Sequence, residues 1–190
     1  MTAVPVAQRM TAEDFLALPV QERGWLWNLV DGELVVNDPA AFHGHVQTNL
    51  LFALETWARA EAGRGATVFP RDVRLDEHNV FKPDVLWYSQ ERIPDPHSPP
   101  SYSMPDLAVE VRSPSTWRYA IGAKKAGYER HGLRELWLVD TEAASVLVFR
   151  RSRPGGPRFD VALELEGADE LASPLLPGFA LGLDEVFRLP

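Results

Sequence analysis

The stretch Pro105-Asp106-Leu107-Ala108-Val109-Glu110-Val111-Arg112-Ser113-Pro114-Ser115-Thr116 decides how the chain folds. Leu107, Val109 and Val111 alternate with Ala108, Glu110 and Arg112, the two-residue period of a β-strand. Glu110 and Arg112 then share one face, opposite the most apolar positions. A carboxylate inside such a strand is costly unless a partner meets it. Ser113 to Thr116 break the strand, and a helix is predicted from about Arg118 to His131, closed by Gly132.

Outward from this strand, the pattern alternates between helix and strand. Thr11 and Asp14 resemble a helix-start box ahead of Phe15, Leu16 and Leu18, in a short helix ending before Pro19. Trp25 to Val36 reads as two strands around Asp31-Gly32, a dipeptide suited to a tight hairpin. Val46, Leu50, Leu54 and Trp57 recur at helical spacing within a helix from about Phe42 to Ala62, with Gly63 placed as its cap. Ala66 to Leu75 and Val80 to Tyr88 read as an antiparallel pair around Asp76 to Asn79, with Pro83 weakening the second run or setting it at an edge. Ile93 to Pro105, with five prolines, is expected to be an extended, exposed loop. A further hairpin is expected at Glu135 to Asp140 and Ser145 to Arg151, then a weak strand at Phe159 to Leu165. Phe179, Leu181, Val186 and Phe187 of the tail should pack back on the core. The pattern predicts an α/β fold, a central mixed β-sheet flanked by helices.

The chain has 190 residues, 45% of them apolar, enough for one sizeable core, so residues 1–190 are expected to form a single domain with about the first eight disordered. No apolar run reaches the roughly 18 to 20 residues that span a bilayer, and no basic stretch followed by an apolar core opens the chain. A cytoplasmic protein with no membrane partner is predicted. There is no cysteine, which excludes disulfides, iron–sulfur clusters and thiolate zinc. Any metal would sit on carboxylates, carbonyls or histidines, which points to magnesium or manganese. The net charge of −8 argues against nonspecific coating of nucleic acid. Six basic residues against one acid between Arg112 and Arg134 leave either a local basic patch or an ordinary solvated helix face.

Three residues carry candidate chemistry. Asp84 follows a proline in Lys82-Pro83-Asp84, Glu110 lies in the apolar strand, and Lys124 lies on the following helix. Two carboxylates with a backbone carbonyl and waters make a suitable magnesium site. Such an ion polarises a phosphodiester and lowers the pKa of a bound water, and a nearby lysine stabilises the transition state.

The chain resembles the Uma2-type endonucleases of the PD-(D/E)xK restriction-endonuclease-like superfamily. The likeness runs from Thr11-Ala12-Glu13-Asp14-Phe15 through Val30-Asp31-Gly32-Glu33-Leu34-Val35-Val36, His43, Lys82 to Val85, Pro105 to Val111, Ser113 to Thr116, Lys124 and Tyr128, to Gly132 to Asp140. The resemblance implies a restriction-endonuclease-like fold and hydrolysis of phosphodiester bonds in DNA with Mg2+ or Mn2+. It assigns Asp84 to the Pro-Asp acid, Glu110 to the glutamate of the glutamate-x-lysine element, and Glu33 to an additional assisting acid. The metal would rest on Asp84, Glu110 and the Val111 carbonyl. Arg112 stands where the superfamily has lysine, and Lys124 matches the lysine that Uma2-like chains carry on the next helix. Ala120 replaces an aspartate common four residues before it. By analogy, a homodimer is expected.

Blander roles compete for each residue. Asp84 could cap a turn, Glu110 could pair with Arg112, Glu33 could be surface charge, and Tyr128 could be core. Lys125 stands beside Lys124, but adjacent helical side chains point about 100° apart, so only one can face the site. A helix-start or substrate-side role suits His43, and His45 has none. Two rival functions remain: a non-catalytic interaction module on a degenerate nuclease fold, and a paired-carboxylate glycosidase, which leaves the lysine unexplained.

Overall fold

The computed structural model describes residues 9–19, 27–97 and 101–189. The expectation for the first eight residues lies outside them, as do Trp25 and Leu26 of the first strand run and residues 98–100 of the proline-rich loop.

The first helix, α1 (Ala12–Ala17), starts as its sequence predicts: Thr11 Oγ1 accepts the Asp14 N–H at 3.1 Å and donates to its carboxylate at 2.7 Å. Strands β1 (Trp27–Val30) and β2 (Glu33–Val36) form the hairpin, and its tip demands left-handed backbone, with φ of 49° at Asp31 and 77° at Gly32. The long helix α2 (Ala41–Arg59) buries His43, Val46, Leu50, Leu54 and Trp57 along one stripe. It ends three residues before Ala62, so Gly63, at φ 87°, belongs to the turn beyond rather than to the cap.

The pair expected at Ala66 to Leu75 and Val80 to Tyr88 needs correction. It consists of four short strands, β3 (Ala66–Val68), β4 (Val73–Arg74), β5 (Val80–Phe81) and β6 (Val85–Tyr88). The pairing is antiparallel as predicted, β4 with β5 and β3 with β6, but the two halves enter different sheets. Pro70 and Pro83 stand at the breaks, where a residue without an N–H cannot serve a ladder.

Strands β7 (Leu107–Val111), β8 (Glu135–Asp140), β9 (Ser145–Arg150) and β10 (Val161–Leu165) follow. One sheet runs β2-β1-β5-β4, and the larger runs β10-β9-β8-β7-β6-β3. The larger sheet is mixed, since β7 and β8 are parallel and its other pairs antiparallel. Its parallel pair requires a crossover, which the helical segment between them supplies. That segment is not the single regular helix expected over Arg118 to His131. It comprises α3 (Trp117–Tyr119), a π-helical turn Ala120–Lys124 and α4 (Lys125–Arg130), closed by Gly132 at φ 83°.

Both faces of the larger sheet are covered. Val109, Val111, Trp137 and Val139 pack with α2 on one side, while Ala108, Leu136 and Leu138 pack with Ala120, Tyr128, Val35 and Phe81 on the other. The tail closes the first side. Strands β11 (Glu170–Ala172) and β12 (Ala180–Gly182) and the short helix α5 (Leu183–Val186) bring Leu171, Leu176, Phe179, Leu181 and Val186 into the same cluster, with Phe187 against it. Among the described residues, no helix is long and apolar enough to cross a membrane.

Candidate active site

Asp84 stands where the chain passes from the smaller sheet to the larger. Its N–H donates to Val109 O at 2.9 Å, which starts the β6–β7 ladder. Gln47 Nε2, one turn beyond His43 on α2, donates to its carbonyl at 2.8 Å. Its buried carboxylate accepts from His43 Nε2 at 3.1 Å and from Val111 N–H at 2.7 Å. An extended residue presents its N–H and C=O to the same edge. The Val111 carbonyl therefore shares the edge of β7 on which Asp84 lies.

His43 bridges two acceptors, the Arg112 carbonyl at 3.3 Å through Nδ1 and Asp84 through Nε2. Satisfying both requires a proton on each nitrogen. Burial alone would lower its pKa, but the hydrogen bond and charge of Asp84 outweigh burial, and the net shift is upward. Because α2 begins at Ala41, His43 and His45 diverge, and His45 is exposed.

Glu110 lies on the opposite face of β7 from Val109 and Val111. Its Oε1 accepts from Lys124 Nζ at 2.5 Å and from Tyr128 Oη at 2.5 Å. Burial raises the Glu110 pKa, the Lys124 ammonium opposes that, and the charge of Asp84 adds to it. The net direction is upward. Burial and then Glu110 push the Tyr128 hydroxyl well above its ordinary range. The π turn ends on Lys124, and both Lys124 and Tyr128 are buried. Lys124 Nζ lies 5.6 Å from the centre of the Phe81 ring, which meets the Tyr128 ring edge-on at 5.1 Å. Gly127 makes this packing possible, since a Cβ there would fall 2.7 Å from Phe81 Cε2.

The structure thus brings Asp84, Glu110 and Lys124 into one buried cluster and adds His43, Gln47 and Tyr128 to it. The sequence offered no mark for Gln47, and Tyr128 carried only its helical spacing from Lys124. Glu33 has no hydrogen bond or ion pair to the cluster among the described residues. It is exposed, but it shares the face of β2 with Val35, which is buried with Ala108, Ala120 and Tyr128.

Arg112 does not pair with Glu110. Beyond the end of β7, it binds both oxygens of Asp140 at 3.0 and 2.8 Å and Glu142 at 2.7 Å, and it lies over the Trp117 ring at 5.6 Å. The ammonium beside Glu110 comes instead from Lys124. Ala120 is buried in the core. Five of the six basic residues from Arg112 to Arg134 are engaged within the protein, and Arg130 is exposed. Arg112, Lys124 and Arg134 are paired with acids, while Arg118 and Lys125 lie over the rings of Tyr119 and Phe149.

The family model described as "Uma2: Putative restriction endonuclease" matches residues 12–184. The chain belongs to the Uma2 family. No curated protein matches it. Among solved structures, the "putative nuclease belonging to DUF820 from Anabaena variabilis ATCC 29413" aligns with this Uma2 chain at a TM-score of 0.76 and 18% identity, over 94% of this chain and 97% of that one. At that identity the likeness concerns the fold.

Among the described residues, no three acidic, histidine or cysteine side chains are grouped to hold a metal ion. The available donors are the two carboxylates of Asp84 and Glu110 and the Val111 carbonyl. All are hard oxygen donors and few in number, which suits an ion that keeps several waters, such as magnesium or manganese.

Proposed function

We propose that this Uma2 chain is a metal-dependent nuclease that hydrolyses phosphodiester bonds in DNA. The observation that carries the reading is the buried cluster in which Lys124 Nζ lies 2.5 Å from Glu110, with Asp84 anchored to the next strand edge. Asp84, Glu110 and the Val111 carbonyl would hold Mg2+ or Mn2+. When bound, that ion polarises the phosphodiester, lowers the pKa of a water and stabilises charge on the leaving oxygen.

The remaining steps belong to the chain's own side chains. Tyr128 and Lys124 hold Glu110 through Oε1 and fix its orientation. His43, Gln47 and the Val111 N–H fix the orientation of Asp84. Lys124 places positive charge beside the phosphorane as negative charge develops. Glu33, on the exposed end of the same β2 face, assists from the mouth of the site. A homodimer would let two such sites address two strands.

A second reading, an interaction module without turnover, draws on Ala120 in place of an acid and on the engagement of Arg112 by Asp140. Incubation of the purified chain with supercoiled and single-stranded DNA in manganese, beside Glu110→Ala, separates the two. Cleavage abolished by Glu110→Ala supports the nuclease. Cleavage that survives the substitution refutes the site, and no cleavage together with no calorimetric metal binding favours the module.

A further inference from the structure

A second cluster of charge lies at the other end of the parallel pair. Arg134 precedes β8, Arg150 ends β9, and Arg151 and Arg153 follow; all four line one cavity of about 180 Å³ with Ser152 and Leu175. No acid lines it. Glu110 is in register with Leu138, so Arg134 lies four residues away along the strands, roughly 13 Å. The cavity is therefore separate from the Asp84–Glu110 cluster.

The acids that steady these arginines lie behind them and are saturated. Asp106, fully buried, accepts from Ser89 N and Oγ, from Arg92 and from Arg134, so one carboxylate serves two guanidiniums. Glu135, also fully buried, accepts from Arg150, Trp137 and Ser173. Arg151 is 8% exposed and donates to the carbonyls of Leu133, Gly156 and Glu129, with no carboxylate at ion-pair distance among the described residues. The Arg153 side chain is exposed and makes neither a hydrogen bond nor an ion pair among them, although its charge reaches Asp160. Asp160, close by in sequence, is held by the N–H and hydroxyl of Ser152.

A guanidinium carries five N–H donors. Arg134 spends one of them within the protein, and Arg150 Nη1 spends none. Spare donors and uncompensated charge thus meet around a space well below the roughly 300–1,000 Å³ of pockets that enclose drug-sized ligands. A compact oxyanion with several acceptor oxygens fits, and guanidinium geometry matches phosphate in particular.

We infer that this cavity is a phosphate-binding site, distinct from the nuclease cluster and independent of the nuclease reading. The phosphate is either a backbone phosphodiester of a nucleic acid or a terminal or free phosphate. The test is calorimetric titration of the full chain with inorganic phosphate at fixed ionic strength. EDTA keeps divalent cations from drawing phosphate to Asp84 and Glu110. Wild type and Glu110→Gln should bind equally, and Arg134→Gln and Arg153→Ser should each bind about tenfold more weakly. Arg153 is exposed, so Arg153→Ser tests the site without disturbing the core, and its melting temperature without phosphate checks this. Equal affinity in both arginine variants, or no phosphate binding by the wild type, overturns the inference. Displacement of phosphate by an oligonucleotide lacking terminal phosphates assigns the site to the backbone. Displacement only by the 5′-phosphorylated form assigns it to a terminal phosphate, and displacement by neither assigns it to the free ion.

Discussion

Lys124→Met removes the cation from a pair whose side chains are both 7% exposed. Glu110 is then a buried carboxylate without its ammonium, and breaking such a pair costs about 3–5 kcal/mol. Protonation caps the loss. Moving Glu110 from its ordinary value of 4.5 to full protonation at pH 7 costs about 1.4 kcal/mol per pH unit, or about 3.4 kcal/mol in all. The variant should therefore lose about 3 kcal/mol at pH 7 in urea denaturation without divalent ions. Its folded state binds a proton that its unfolded state releases, so its stability should fall with rising pH above 4.5, by up to about 1.4 kcal/mol per unit. Below pH 4.5 the penalty disappears. The double variant Glu110→Gln/Lys124→Met, with no buried charge at either position, should recover most of the loss. If Asp84 and Glu110 hold a metal, magnesium or manganese should also rescue the single variant, by about 2.7 kcal/mol at a hundredfold excess over Kd, and should not rescue the double one. A double variant as unstable as the single one would refute the pairing. A single variant indifferent to both ions would refute the metal site while leaving the pairing intact.

Asp106→Asn should cost about 1.5–3 kcal/mol at neutral pH, read by denaturation, because four donors lose a charged acceptor. Burial alone would raise the Asp106 pKa, but the Ser89 donors and Arg92 outweigh it and hold the pKa below its ordinary 3.8. Its contribution is therefore complete above pH 3.8 and lost as pH falls through the depressed value, so the variant should show a flatter acid limb than wild type. Gly127→Ala should cost about 1–3 kcal/mol, since the new methyl would press on the buried Phe81 ring. Combining it with Phe81→Leu should cost less than the two losses added, and strict additivity would count against the contact.

What could be read from the chain depended on how local the cause was. Alternation around Glu110 reported its strand and its face correctly, and the Asp31-Gly32 and Thr11 signals, each contained within four residues, describe the hairpin and α1 as observed. Alternation does not say which sheet a strand joins. The runs around Pro70 and Pro83 therefore read as one hairpin, although the chain changes sheets at both prolines. The π turn was invisible for a similar reason: the widening at Ala120–Lys124 accompanies the seating of Lys124 against Glu110 and Phe81, partners distant in sequence. Arg112 could have paired with Glu110 on their shared face, but Asp140 and Glu142 claim it just past the strand end. Gln47 had no recognisable signature, because a helical glutamine reaching one carbonyl leaves no periodicity. Lys124 was placed by family resemblance rather than by spacing.

The position of Asp84 at the passage between sheets has a mechanical consequence. Phe81 ends a strand of the smaller sheet, Val85 opens one of the larger, and only Lys82 and Pro83 precede the acid between them. Its N–H, its carbonyl and both carboxylate oxygens are claimed by β7 and α2. Along this connection, any shear of the smaller sheet against the larger passes through this residue, and four hydrogen bonds resist it there. The residue offered for chemistry is thus also a rivet between the two sheets, so damage to this joint and damage to the site should be inseparable at this position.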